Sequence, residues 1–127
     1  MRSATDWIAL LGRLLMAAIF LRAGYDKALA PSATMATFGR LGLPMPGLAY
    51  AVALIVEIGC GILILIGYRA RPAGVVLAAW CVLTAMTAHY HPEVREQMIN
   101  FMKNLCMAGG FLYVAAFGPG RFSVDRG

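Results

Sequence analysis

The feature that most constrains the fold is a long apolar stretch, residues 41–68, whose one charged residue is Glu57. About 20 mostly apolar residues, at ~1.5 Å of helical rise each, span the hydrocarbon core of a bilayer. A helix over this stretch therefore places the carboxyl group of Glu57 near the membrane centre. An ionisable group at that depth costs roughly 3 kcal/mol to insert, so it normally faces protein or water and has a partner.

Composition extends the membrane assignment to the whole chain. Hydrophobic residues make up 61% of the 127 residues and charged residues 13%, with a mean hydropathy of +0.73. This length holds about four crossings with short loops, which leaves no room for a separate soluble domain. We therefore predict a single domain over residues 1–127. Its predicted fold class is all-α, an integral membrane four-helix bundle.

The basic charge and the cysteines point to lipid contact and packing. The net charge is +5, but Lys and Arg lie singly at helix ends and between apolar runs, so we expect lipid phosphates as their partners and no nucleic acid. The three cysteines each fall in a separate apolar run, without a C-x-x-C pair: Cys60, Cys81 and Cys106. We interpret them as packing thiols and expect no metal site.

Apolar runs and helix breakers divide the chain into four predicted crossings, at about residues 7–28, 48–66, 72–89 and 98–117. Residues 34–43 could form a short interfacial helix before the second crossing. Pro72 suits the first position of a helix, so the second and third crossings form a hairpin around residues 67–71. Four crossings put both termini on one side, which we expect to be the cytoplasm.

Depth and helical periodicity suggest a basic partner for Glu57. Four residues of the first helix fall on nearly one face at 100° per residue, which are Arg13, Phe20, Gly24 and Lys27. This face should look into the bundle, with Arg22 on the opposite side. Arg13 lies about 9 Å inside the start of the crossing and Glu57 about 15 Å from the same membrane face. Because an arginine side chain can cover that difference, we predict that the two pair.

Towards the other membrane face, further polar residues can form a rim above Glu57. These are Lys27, His89, Lys103 and Asn104. Such a rim around a half-buried cavity suits an anion or the oxygens of a quinone-like ring. The alternative is that Arg13 and Glu57 pair only for structure while the two lysines extend to the interface.

The order of the motifs along the chain resembles that of the DoxX family. The motifs are LGR at 11–13, GYDK at 24–27, EIGCG at 57–61, GYRAR at 67–71, NFMKN at 100–104, AGG at 108–110 and GPGRFSVDR at 118–126. The resemblance implies a four-helix, multi-pass protein of the bacterial inner membrane and a part in redox chemistry. Relatives in this family include the quinone-reducing subunit of an archaeal thiosulfate oxidase and components of oxidant-defence complexes.

The first functional hypothesis is a quinone-interacting redox subunit or oxidant-defence component. Glu57 would exchange protons as the catalytic residue, and the substrate-binding residues would be Arg13, Lys27, His89, Lys103 and Asn104. No flavin, haem or iron–sulfur motif is visible, so a bound quinone or a partner redox enzyme would carry the electrons. The alternatives are a non-catalytic membrane scaffold for a partner enzyme and, as a homo-oligomer, a small dimeric transporter.

Overall fold

Helices form all the regular structure in residues 2–126, which the computed structural model describes with side chains from Ala4 onward. The all-α prediction is confirmed. The helices, in chain order, are α1 (Arg2–Leu29), α2 (Pro31–Arg40), α3 (Pro46–Ile66), α4 (Ala70–His89) and α5 (Arg95–Phe117). Two of them contain π-helical segments: α3 at Ile55–Cys60 and α4 at its end, Ala85–His89.

Proline and glycine set most helix boundaries. Pro31 and Pro46 lie in the first turns of α2 and α3, where a missing backbone N–H costs nothing. The predicted interfacial helix exists as α2, but it begins three residues earlier than the prediction because Pro31 can open it. Gly67 ends α3 in the left-handed conformation, with φ of 73°.

Within residues 2–126, three helices are long and apolar enough to cross a membrane: residues 4–29, 46–66 and 70–89. α5 is 23 residues long, but Lys103 and two asparagines reduce its hydropathy. It packs antiparallel along α4, since Gly74 meets the backbone at Phe111 near one end and Tyr90 packs on Phe101 at the other. The bundle thus has four long helices, while the fourth crossing stays a prediction.

Small and aromatic side chains share the core. A Cβ atom on Gly74 would lie 2.8 Å from the carbonyl oxygen of Phe111, so glycine lets the backbones of α4 and α5 approach closely. The rings of Phe20 and Phe111 meet edge to face at 5.3 Å. The outer surface carries exposed apolar side chains such as Ile55 and Phe117, as a lipid environment favours.

The C-terminal tail, residues 118–126, folds back over the turn between α3 and α4. The backbone N–H of Asp125 donates to the carbonyl oxygen of Gly67 at 2.9 Å. Its carboxylate accepts hydrogen bonds from the backbone N–H groups of Arg69 at 3.0 Å and Ala70 at 2.9 Å. Asp125 therefore caps the N-terminus of α4, although it lies 55 residues further along the chain.

Candidate functional site

Glu57 lies in the π-helical segment at the middle of α3. It is 4% exposed and about 14 Å from the end of the helix at Ile66, so the predicted buried position is confirmed. A π-helical turn interrupts the regular i→i−4 hydrogen bonding and is frequent at functional sites. The local backbone thus departs from an ordinary helix at the position where the chain buries an acid.

The basic partner of Glu57 is Lys27 of α1. Its Nζ lies 2.9 Å from Oε1 and 3.2 Å from Oε2 of Glu57. The two side chains differ in exposure, with 26% for Lys27 and 6% for Glu57. The ion pair is therefore closed on the carboxylate side and partly open on the ammonium side, which leaves Lys27 accessible to a small molecule.

Trp80 of α4 supplies a second contact to the carboxylate. Its indole Nε1–H donates to Oε2 of Glu57 at 3.1 Å. Oε1 lies beside the Lys27 ammonium but receives no hydrogen bond of good geometry from residues 2–126. Three helices thus converge on one carboxylate, whose Oε1 is buried against the Lys27 ammonium.

A close approach of α1 and α3 positions this cluster. A Cβ atom on Gly24 would overlap Cγ1 of Ile58 and lie 3.5 Å from Cβ of Glu57, so only glycine leaves α1 this close to the π-helical segment. The Tyr50 hydroxyl donates to the backbone carbonyl of Lys27 at 3.1 Å. Backbone packing, together with this hydrogen bond, therefore fixes where the Lys27 side chain begins.

The predicted pairing of Arg13 with Glu57 is wrong. Arg13 is buried at 3% exposure, on the predicted inward face, but its guanidinium donates to the carbonyl oxygen of Ile64 at 3.3 Å and to that of Phe122. The reason is that the last carbonyl groups of α3 lack helical partners and attract the guanidinium. Arg13 thus ties α1 to the end of α3 and to the C-terminal tail.

Only Lys27 of the predicted rim contacts Glu57 within the part of the chain that the structure describes. Nδ1 of His89 lies 2.8 Å from Oε1 of Gln97, and Nδ2 of Asn104 donates to the carbonyl of Asn100 at 3.3 Å. Lys103 is exposed on the outer face of α5. These contacts do not assemble one rim above Glu57, because neighbouring helix positions such as 103 and 104 point about 100° apart. Binding roles for His89, Lys103 and Asn104 stay predictions.

Sequence reasoning did not single out Trp80. A signal for it exists in the α3–α4 hairpin. Glu57 lies ten residues before Gly67, and Trp80 lies ten residues after Ala70. Because antiparallel helices rise equally per residue, the two side chains reach the same depth. A tryptophan at the depth of a buried acid is a candidate hydrogen-bond donor to it.

Comparison with known proteins places this cluster in a recognised family region. The DoxX family model matches residues 8–90, which contain Lys27, Glu57 and Trp80. The chain is similar to the inner membrane protein YphA of Escherichia coli (strain K12), with 36% identity over 98% of this chain and 92% of that protein. It is also similar to the inner membrane protein YqjF of the same strain, with 33% identity over 99% of this chain and 95% of that protein. No solved structure matches.

Proposed function

Since the chain belongs to the DoxX family of small inner-membrane proteins, we propose that it is a quinone-interacting redox subunit with its binding site at Lys27, Glu57 and Trp80. The protein is multi-pass, so this cluster lies at lipid depth. The observation that carries the proposal is a carboxylate with 6% side-chain exposure, held by a lysine that keeps 26% of its side chain exposed. In this proposal, a ligand dissolved in the lipid reaches the exposed part of the lysine.

The residues present fit the ring oxygens of a quinone. Nζ of Lys27 can donate to a quinone carbonyl on its exposed side, while Oε1 of Glu57, buried 2.9 Å from the same ammonium, holds the lysine in place and can take up a proton from it. A quinone bound here supplies two-electron chemistry, with the electrons coming from a partner redox enzyme and two protons completing the quinol.

Each side chain of the cluster has a distinct task in this proposal. Glu57 holds and exchanges a proton beside the ring oxygen. Lys27 provides positive charge where negative charge develops during reduction. Trp80 orients the carboxylate through its indole N–H. Any binding role of His89, Lys103 or Asn104 would lie outside the contacts of this cluster.

Tryptophan fluorescence tests the proposal, because the chain has two tryptophans. Trp80 belongs to the proposed site and Trp7 lies outside it. Trp7→Phe leaves Trp80 as the sole reporter, and Trp80→Phe leaves Trp7. In nanodiscs, a short-chain quinone should quench Trp80 saturably. Adding Lys27→Met should weaken this binding about tenfold or more, the equivalent of one charge-assisted hydrogen bond. Trp7 should show only linear, collisional quenching.

Unsaturable quenching of Trp80, or saturation that Lys27→Met leaves unchanged, would contradict quinone binding at this cluster.

The double exchange Lys27→Glu with Glu57→Lys distinguishes quinone chemistry from the scaffold alternative. If the ion pair only fixes helix register, the exchanged protein keeps its stability and its partner enzyme's activity. If Glu57 exchanges protons, the exchanged protein folds but loses quinone-dependent turnover.

A further inference from the structure

We propose that the outer face of α5 is a binding site for one anionic phospholipid. An open groove of about 420 Å³ runs along this face. It is lined by Arg95, Met98, Ile99, Met102, Lys103 and Cys106. The site is separate from the Lys27, Glu57 and Trp80 cluster and does not depend on the function proposed for that cluster.

Helical geometry puts the groove on one side of α5. At 100° per residue, the six lining positions fall within an arc of about 140°. The core residues Ala108 and Phe111 lie on the other side, where α5 packs on α4. α4 is long and apolar enough to cross the membrane, and the predicted crossing of α5 beside it turns the groove towards the lipid.

The two basic residues of the groove have no partner side chain in the part of the chain that the structure describes. Neither Arg95 nor Lys103 has a hydrogen bond or an ion pair with another side chain between residues 4 and 126. Arg22, by contrast, is also exposed but is paired with Asp26 at 3.1 Å. Lys103 lies eight residues inside α5, about 12 Å from Arg95 along the helix. An unpaired ammonium facing lipid at that depth requires an anion or must extend to the headgroups.

An anionic phospholipid satisfies both the charges and the apolar floor. Side chains on a helix point towards its N-terminus, so Lys103 extends towards Arg95 and the two cations approach one headgroup level. Below them, Met98, Met102 and Cys106 offer a flexible apolar surface to an acyl chain. A free phosphate could use the cations but not this floor, and a zwitterionic lipid carries its own cation beside the phosphate.

Native mass spectrometry of protein released from nanodiscs tests this site. With equal amounts of phosphatidylglycerol and phosphatidylcholine, the wild type should retain one phosphatidylglycerol with at least fivefold preference. Lys103→Gln and Arg95→Gln should each reduce retention about fivefold, as expected for one basic residue at an anionic surface. Lys103→Arg should preserve it. Arg40→Gln is the control, because Arg40 is exposed on the same side of the bundle but bonded to Thr37, away from the groove.

A variant without charge change keeps the test valid if Lys103→Gln fails to fold. Cys106→Phe fills the groove and should also reduce retention while circular dichroism shows unchanged helicity. Equal retention of both lipids, or no loss in Lys103→Gln and Cys106→Phe, would overturn the proposal. Disulfide-linked dimers through Cys106 in native membranes would also overturn the proposal, since a second copy of the chain would then cover the groove.

Discussion

At the residue scale, the ion pair between Lys27 and Glu57 is the most consequential interaction. Removing one partner of a buried pair leaves an uncompensated charge and typically costs about 3–5 kcal/mol. Because Lys27 is partly exposed, we expect Lys27→Met to lower the free energy of unfolding by about 2–3 kcal/mol. Denaturant titration in detergent micelles measures this loss.

The double variant Lys27→Met with Glu57→Gln is the control for that prediction. It removes both charges, so it should recover part of the stability lost in Lys27→Met alone. If the double variant instead loses the sum of the two single effects, the two side chains do not interact. Arg13→Met should show no coupling to Glu57→Gln, because Arg13 bonds to carbonyl groups at the far end of α3.

The same residues show what sequence can and cannot provide. Helical periodicity predicts that Arg13 and Lys27 share the inward face of α1, and both do point inward. Periodicity fixes the face but not the partner, and here the partner depends on which carbonyl groups the ends of α3 and the tail leave free. The contact from Trp80 depends on the register between α3 and α4, which the hairpin length encodes but hydropathy does not.

At the element scale, the approach of α1 to α3 controls the site. Gly24→Ala should force Ile58 to move and separate the two helices, with a cost of about 1–3 kcal/mol typical of overpacking. It should also lengthen the contact between Lys27 and Glu57. Gly12→Ala is the matched control, since a Cβ atom there meets nothing within 4 Å. Ile58→Ala should rescue Gly24→Ala; failure of that rescue would contradict the packing argument.

The tail is a second element-scale feature, and it predicts a pH dependence. Hydrogen bonds from the backbone N–H groups of Ala70 and Arg69 hold the pKa of the Asp125 carboxyl below its ordinary value. A lowered folded-state pKa means that the stabilisation is complete above the unfolded value of about 3.9. It is lost as the pH falls through the folded-state pKa, where the protonated carboxyl no longer caps α4.

Trp7 can report this loss because its ring packs on Phe122 of the tail at 4.8 Å. In a Trp80→Phe background, the Trp7 emission should change in acid below about pH 4. Asp125→Asn should give the acid spectrum at neutral pH and abolish the transition. A transition that survives Asp125→Asn would assign the pH dependence to another group.

The π-helical segments explain another limit of sequence reasoning at this scale. Residues 55–60 form a continuous apolar pattern except for Glu57, and nothing in that pattern indicates a wider turn. Such turns depend on the packing of the surrounding helices, here the close contact at Gly24. Helix boundaries, in contrast, could be predicted to within a few residues at Pro31 and Gly67, because proline and glycine act through local backbone chemistry.

At the scale of the whole molecule, the four-helix arrangement predicts a topology. If α5 crosses the membrane beside α4, both termini lie on one side and the loop at residues 90–94 lies on the other. We expect the C-terminus in the cytoplasm and a cysteine at Glu93 to react with an impermeant maleimide from the periplasm. A Cys60→Ser, Cys81→Ser and Cys106→Ser background removes competing thiols. Finding position 93 and the C-terminus on the same side of the membrane would contradict a crossing by α5.

We propose that a quinone binds where α1, α3 and α4 meet. Photolabelling with an azidoquinone, followed by mass spectrometry of the peptides, locates the ligand directly. We expect label within a few residues of Lys27, Glu57 or Trp80, and its loss when unlabelled quinone competes. Label that is absent from these three helices, or that persists unchanged against competitor, would contradict the claim.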